Sequence, residues 1–212
     1  MSLDQIALRH GTDKSSAQHN YCPIYERYFQ HIRNSPLVLL ELGVGGYDRP
    51  DIGGHSLRTW AEYFPQGRIY GIDIHDKEFL NNDRIKTFMC SQDDPIRLRE
   101  ILNEIHSPDI IIDDASHISP LTIKAFNILF PSLKSGGIYV IEDVHTSYWS
   151  THGFHGGTHP DTTMNYFKGL ADSLMPEHSG KESTFPILSI QFWDRIIFIL
   201  KKVTIYLFNP TI

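Results

Sequence analysis

Short apolar runs alternate along this chain with stretches in which apolar residues recur every three or four positions. Leu37–Glu41, Arg68–Ile74, Ile85–Met89, Asp109–Asp114 and Gly137–Ile141 form the runs. Each is too short for a helix and is bounded by turn-forming residues, so each predicts a strand buried on both faces of a parallel sheet. Between them, Leu57/Trp60/Ala61/Phe64, Leu98/Ile101/Leu102/Ile105 and Ile123/Phe126/Leu129/Phe130 sit at helical spacing and predict amphipathic helices. Ser56 reads as the N-cap of the first of these, with Pro65 closing it. Ser119-Pro120 reads as the cap and first helical position of the third.

Two helices are expected before the first strand. One covers Leu3–Arg9 and stops at Gly11; the other covers Tyr21–Ile32, with Ile24, Tyr28, Phe29 and Ile32 on one stripe. After the fifth strand, Val144–Thr163 is a long segment rich in glycine, aromatics and histidine, expected to serve as a lid or binding loop. Met164, Phe167, Leu170 and Leu174 predict a further helix, followed by a polar connection over Pro176–Thr184. The last two runs, Ile187–Phe192 and Arg195–Leu200, are joined only by Trp193-Asp194, which permits only a hairpin. The pattern predicts an α/β fold with a doubly wound, mostly parallel sheet of seven strands, ending in an antiparallel hairpin. Residues 1–36 form an N-terminal helical segment placed to cover the mouth of the site, and 37–212 the main domain.

Composition narrows the partners. At 212 residues a single domain is expected, and a net charge of −6 gives no electrostatic reason to bind nucleic acid or an anionic membrane surface. Cys22 and Cys90 cannot build a disulfide framework and read as free thiols of a reducing, cytoplasmic setting. Met1-Ser-Leu-Asp lacks the basic-then-apolar pattern of a secretory leader. The most apolar tract, Ile187–Phe208, carries Gln191, Asp194, Arg195, Lys201 and Lys202, which excludes a membrane span there. Ile205, Tyr206, Leu207 and Phe208 suggest packing against another subunit, a homo-oligomer.

The chemistry concentrates at strand ends. Ile110–His117 reads IIIDDASH, and the fifth run ends in Glu142-Asp143. Open α/β sheets bind ligands outside the carboxyl ends of their strands. Carboxylates crowded there stay charged only if a cation joins them. Asp114, Glu142 and Asp143 supply the oxygen half-shell that a hard divalent cation such as magnesium takes, leaving positions for a substrate. His117 lies within reach of that centre and suits a general base. Histidines 145, 152, 155 and 159 fit no structural zinc spacing. The loop Gly43-Val-Gly45-Gly46 breaks the nicotinamide fingerprint, because the third glycine would fall at Asp48. Glu41 before it and Asp73 at the end of the second run stand where such sheets hold the ribose hydroxyls of an adenosyl cofactor.

Taken together, LLELGVGGY (Leu39–Tyr47), YGIDI (Tyr70–Ile74), IIDDASH (Ile111–His117) and IEDVHTSYW (Ile141–Trp149) resemble the metal-dependent, S-adenosylmethionine-using sugar O-methyltransferases of macrolide biosynthesis, the mycinamicin type. GTDK (Gly11–Lys14) and TTMNYFKGLAD (Thr162–Asp172) are also similar to that family, and the 28 positions from Asp114 to Glu142 match its metal spacing. The resemblance implies a Rossmann-like methyltransferase domain over 37–212. It implies that Asp114, Glu142 and Asp143 bind Mg2+, that His117 is the base, and that Glu41, Gly43, Gly45, Ser56, Asp73, Ser91, Gln92 and Asp114 line the S-adenosylmethionine site. The implied activity is methyl transfer to a hydroxyl of a sugar or glycosylated small molecule. A cephalosporin hydroxylase-like enzyme with a similar carboxylate set, a nicotinamide oxidoreductase and a non-catalytic sugar-binding protein remain as alternatives.

Overall fold

The computed structural model describes residues 1–204 except 48, 50, 152–158 and 160. Its seven strands are β1 (Val38–Leu42), β2 (Arg68–Asp73), β3 (Ile85–Met89), β4 (Ile110–Asp113), β5 (Ile138–Ile141), β6 (Ile187–Phe192) and β7 (Ile197–Lys201). They form one sheet in the order β3-β2-β1-β4-β5-β7-β6, with β7 antiparallel to both neighbours and the rest of the pairs parallel. The expected doubly wound sheet and its closing hairpin are both present.

The strands alternate strictly between two cores. Leu39, Ile69, Ile110, Ile112 and Val140 face a layer built by α1 (Leu3–His10), α2 (Cys22–Phe29) and α3 (His55–Tyr63). Leu40, Ile72, Ile111 and Ile141 face α4 (Pro95–Ile105), α5 (Ser119–Leu129) and α6 (Thr163–Asp172). Period-two alternation with apolar residues on both sides is what a sheet covered by helices on both faces demands. The N-terminal segment is part of this core: Leu3, Ile6, Tyr21, Tyr25 and Phe29 are buried against the same strands as Trp60 and Phe64. Among the described residues no helix is long and apolar enough to cross a membrane.

Several local expectations are corrected. Ser56 is not an N-cap. Gly53 and Gly54 turn the chain at φ +115° and +76°, so α3 starts at His55 with Gly54 as its cap, and Ser56 falls inside the first turn. Ser119 is likewise the first residue of α5, capped by Ile118; its hydroxyl accepts from Thr163 N–H at 2.9 Å and anchors α6 instead. α2 is shorter than its apolar stripe, although Ile24, Tyr28 and Ile32 still pack on the core. Two short helical turns break stretches read as irregular, Val144–Tyr148 after β5 and α7 (Pro176–Ser179). His152, His155 and the apolar tail at 205–208 lie outside the described residues.

Candidate functional site

The order of strands reverses between β1 and β4, and that switch point sets the site. β1 ends opposite β4, with Leu42 beside Asp113, and β4 ends opposite β5, with Asp113 beside Ile141. Asp114, Glu142 and Asp143 therefore emerge from adjacent strand ends. A cavity of about 820 Å³ opens there. One wall is the glycine loop with Ile72, Asp73, Cys90, Ser91 and Gln92; the other is Asp114, His117, Asp143 and the N-terminal loop Gly11–Lys14 with His19.

The glycine loop is built for close approach. A Cβ on Gly43 would lie 2.1 Å from the Asp114 carbonyl oxygen, so only glycine lets β1 and β4 end this near each other. Gly45, at φ +77°, has nothing within 4 Å of where a Cβ would stand and leaves the cavity open. Asp73 anchors the loop: Oδ2 accepts from Val44 N–H and Oδ1 from His75 N–H, both at 2.9 Å. Gln92 accepts from Ser116 N–H at 3.1 Å, while its buried Nε2 has no partner among the described residues. A buried donor left open beside a cavity calls for an acceptor on a ligand. Ser91 lies exposed on the same wall, its hydroxyl donating to Asp93 at 2.6 Å.

Glu41 does not line the cavity but lies wholly buried beneath it. Its Oε2 accepts from Ser56 Oγ at 2.7 Å, and Oε1 stands 3.5 Å from Lys14 Nζ. Ser56 thus reaches the site through Glu41 rather than by capping a helix. Burial raises the Glu41 carboxyl to about 7, against the opposing pull of Lys14.

On the opposite wall, Asp114, His117 and Asp143 each offer a ligand atom, all within 4.8 Å of one another. His117 Nε2 is 3.6 Å from Asp143 Oδ2 and 3.9 Å from Asp114 Oδ1. Asp143 also accepts from Tyr21 OH at 2.5 Å and faces His19 and His145 at 3.5 and 3.9 Å. Glu142 is turned away from this group of three. Tyr25 OH donates to its Oε1, and Lys14 Nζ to its Oε2 at 2.9 Å.

Lys14 closes the GTDK stretch, but the sequence pattern assigns it no role. Its ammonium is 1% exposed and also donates to Asp114 Oδ2 at 2.5 Å. Burial pulls its pKa down; Asp114, Glu142 and Glu41 outweigh that and hold it well above the ordinary lysine value. Burial, then the charge of Asp114, pushes the Glu142 carboxyl well up despite Lys14. One ammonium is too little positive charge for these carboxylates, and oxygen donors so crowded suit a hard divalent cation.

No family model matches this chain. It is 40% identical over 209 residues to the 8-demethyl-8-α-L-rhamnosyl tetracenomycin-C 2′-O-methyltransferase of Streptomyces olivaceus, covering 94% of this chain and 54% of that protein. It is 41% identical over 176 residues to the mycinamicin VI 2″-O-methyltransferase of Micromonospora griseorubida, covering 81% of this chain and 44% of that protein. Over most of its length this chain is a homologue of these two O-methyltransferases. It spans about half the length of the curated relatives it matches. Among solved structures, it superposes on the MycE methyltransferase of the mycinamycin pathway, determined with Mg, SAH and mycinamycin VI. The TM-score is 0.86 at 35% identity, covering 95% of this chain and 55% of that one. The homologue thus has the Rossmann-like methyltransferase fold that the motifs imply.

Proposed function

We propose that this homologue transfers a methyl group from S-adenosylmethionine to a sugar hydroxyl of a glycosylated small molecule, with Mg2+ at the carboxylate centre. One observation carries the reading: a single cavity joins the glycine loop, Asp73 and the open Gln92 donor to the Asp114–His117–Asp143 group. Two ligands can meet there, one on each wall.

When bound, S-adenosylmethionine supplies the electrophilic methyl group, and Mg2+ supplies the positive charge that makes an acceptor hydroxyl more acidic. Asp114, Glu142 and Asp143 would hold the ion. Both Glu142 oxygens are engaged by Lys14 and Tyr25, so Glu142 would have to exchange one of these partners to join the ion, whereas the ammonium leaves Asp114 Oδ1 open. His117 takes the acceptor proton at Nε2, the ring nitrogen turned toward both aspartates. Asp73 keeps a lone pair on each oxygen for the ribose hydroxyls while bracing the loop, and Gln92 Nε2 donates to the cofactor. Methyl transfer from a sulfonium demands alignment and exclusion of water more than charge stabilisation. Gly11–Lys14 and His19 line the same cavity beside the carboxylates.

The test is calorimetric titration of S-adenosylmethionine into the purified chain, with Mg2+ and then with chelator, followed by a methyl-transfer assay on rhamnosyl and other glycosides. Saturable cofactor binding and chelator-sensitive transfer are expected. Absence of cofactor binding under both conditions overturns the reading.

A further inference from the structure

Lys14 occupies the middle of the carboxylate group, yet the reaction proposed above gives it no step. Its loop delivers it rigidly. The Lys14 carbonyl accepts from Tyr21 N–H and Cys22 N–H at 2.9 and 3.1 Å, which ties the residue to the start of α2. The loop is closed further by His19 N–H to Asp13 O at 2.9 Å and Asn20 N–H to Ser15 O at 2.9 Å. With its stem buried, the ammonium has no route to solvent short of unfolding this loop. It touches Asp114 and Glu142, and lies 3.5 Å from Glu41.

We infer that Lys14 is a built-in counter-ion that keeps the divalent site assembled when the metal is absent and weakens the site's hold on the metal when it is present. The inference rests on the reading that Asp114 and Glu142 are metal ligands. Four carboxylates, Glu41, Asp114, Glu142 and Asp143, converge on this end of the sheet. Without a cation their mutual repulsion and desolvation would splay the ends of β4 and β5. The ammonium supplies one positive charge from within the chain, so the strand ends keep their arrangement before any ion arrives.

The same charge opposes the metal. An ion held through Asp114 shares that carboxylate with the ammonium. Repulsion between a unit charge and a dication across one carboxylate exceeds a tenfold change in binding constant, even at an effective dielectric of about 20. The direction is the same whether the ammonium stays in place or is pushed off Glu142. In either case Lys14 makes metal binding looser and therefore reversible. The arrangement also joins the two walls: one side chain bridges Glu41, beneath the glycine loop and bonded to Ser56, to the carboxylates facing the acceptor.

Binding of Mn2+ to the full chain, followed by the paramagnetic resonance signal of the free ion, tests this. Melting temperature in chelator and in saturating Mn2+ is the second readout. For wild type, one Mn2+ site is expected. Lys14→Gln should bind Mn2+ at least tenfold tighter, melt lower than wild type in chelator, and recover most of that deficit when Mn2+ is added. Lys14→Arg should stay near wild type in affinity. If Lys14→Gln is unfolded in chelator, saturating Mn2+ should restore its far-ultraviolet circular dichroism, because the dication replaces the lost ammonium. A chain that stays unfolded in Mn2+ overturns the inference. Equal or weaker Mn2+ binding by Lys14→Gln beside a wild type that binds overturns the counter-ion role alone. A wild type that binds no Mn2+ overturns the metal reading and this inference with it.

Discussion

His117 Nε2 stands 3.6 Å from Asp143 Oδ2, and both residues adopt left-handed backbone, at φ +57° and +51°. Non-glycine residues are held in that region only where their surroundings over-determine it, and such positions cluster at functional sites. Here Thr146 Oγ1 bridges the two, donating to the carbonyls of His117 and Asp143 at 3.0 and 2.9 Å. The turn after β4 and the turn after β5 are thus clamped so that imidazole and carboxylate face each other. His117→Asn keeps a residue that tolerates this backbone while removing the proposed base. Turnover should fall about 10²- to 10⁴-fold with little change in cofactor affinity. Steady-state kinetics alongside cofactor titration decide the matter; an equal loss of cofactor binding would make His117 a binding residue instead.

The two glycines of the first loop should behave very differently. An alanine at Gly43 meets Asp114 backbone at 2.1 Å, where neither strand end can yield, whereas an alanine at Gly45 meets nothing within 4 Å and strains only φ. Gly43→Ala should cost at least about 3 kcal/mol of stability, against about 1 kcal/mol for Gly45→Ala. Urea unfolding of both variants measures the gap. Similar losses would mean that the β1–β4 approach is softer than it looks.

Much of this was legible in the chain, and for identifiable reasons. Ile110–Ile112 and Leu39–Leu40 alternate between two buried faces, so their strands announce themselves by apolar character alone. The meeting of Asp114 and Asp143 follows from strand ends brought together by parallel pairing, with His117 rather than Glu142 completing the group of three. Ser56 and Ser119 misled because a serine before an apolar helical stripe has the look of a cap, while tertiary partners, Glu41 and Thr163, claim their hydroxyls. The role of Lys14, inside the GTDK stretch, was hidden for a different reason. Its partners are 100 and 128 residues away, and a lysine in a polar loop reads as solvated until the fold buries it.

Lys77 offers a second buried ammonium with a separate task. At 1% exposure it donates to the carbonyls of Arg49 and Ile52 at 2.9 and 2.8 Å, pinning the far side of the glycine loop. Lys77→Met keeps the bulk and leaves both carbonyls without that donor, so the loop loses its tether. S-adenosylmethionine affinity should drop about tenfold, the equivalent of one charged hydrogen bond, while Mn2+ affinity stays at the wild-type value. Paired titrations separate the two effects. A parallel loss of Mn2+ binding would show that the whole switch point has loosened.

Glu41 gives the fold a pH dependence of defined sign. Burial raises its carboxyl from an ordinary 4.5 to about 7, with Lys14 and Ser56 only partly compensating. A carboxyl whose folded pKa lies above its unfolded value binds its proton more tightly in the folded state. The stability it contributes is full below about 4.5 and is lost as pH rises through about 7. The span corresponds to roughly 3 kcal/mol at most. Glu41→Gln keeps the neutral shape and removes the titration. The stability of wild type relative to Glu41→Gln should therefore fall by up to that amount between pH 5 and pH 8. Urea midpoints of both proteins across this range test it, and profiles that run parallel would show that Lys14 keeps Glu41 ionised throughout.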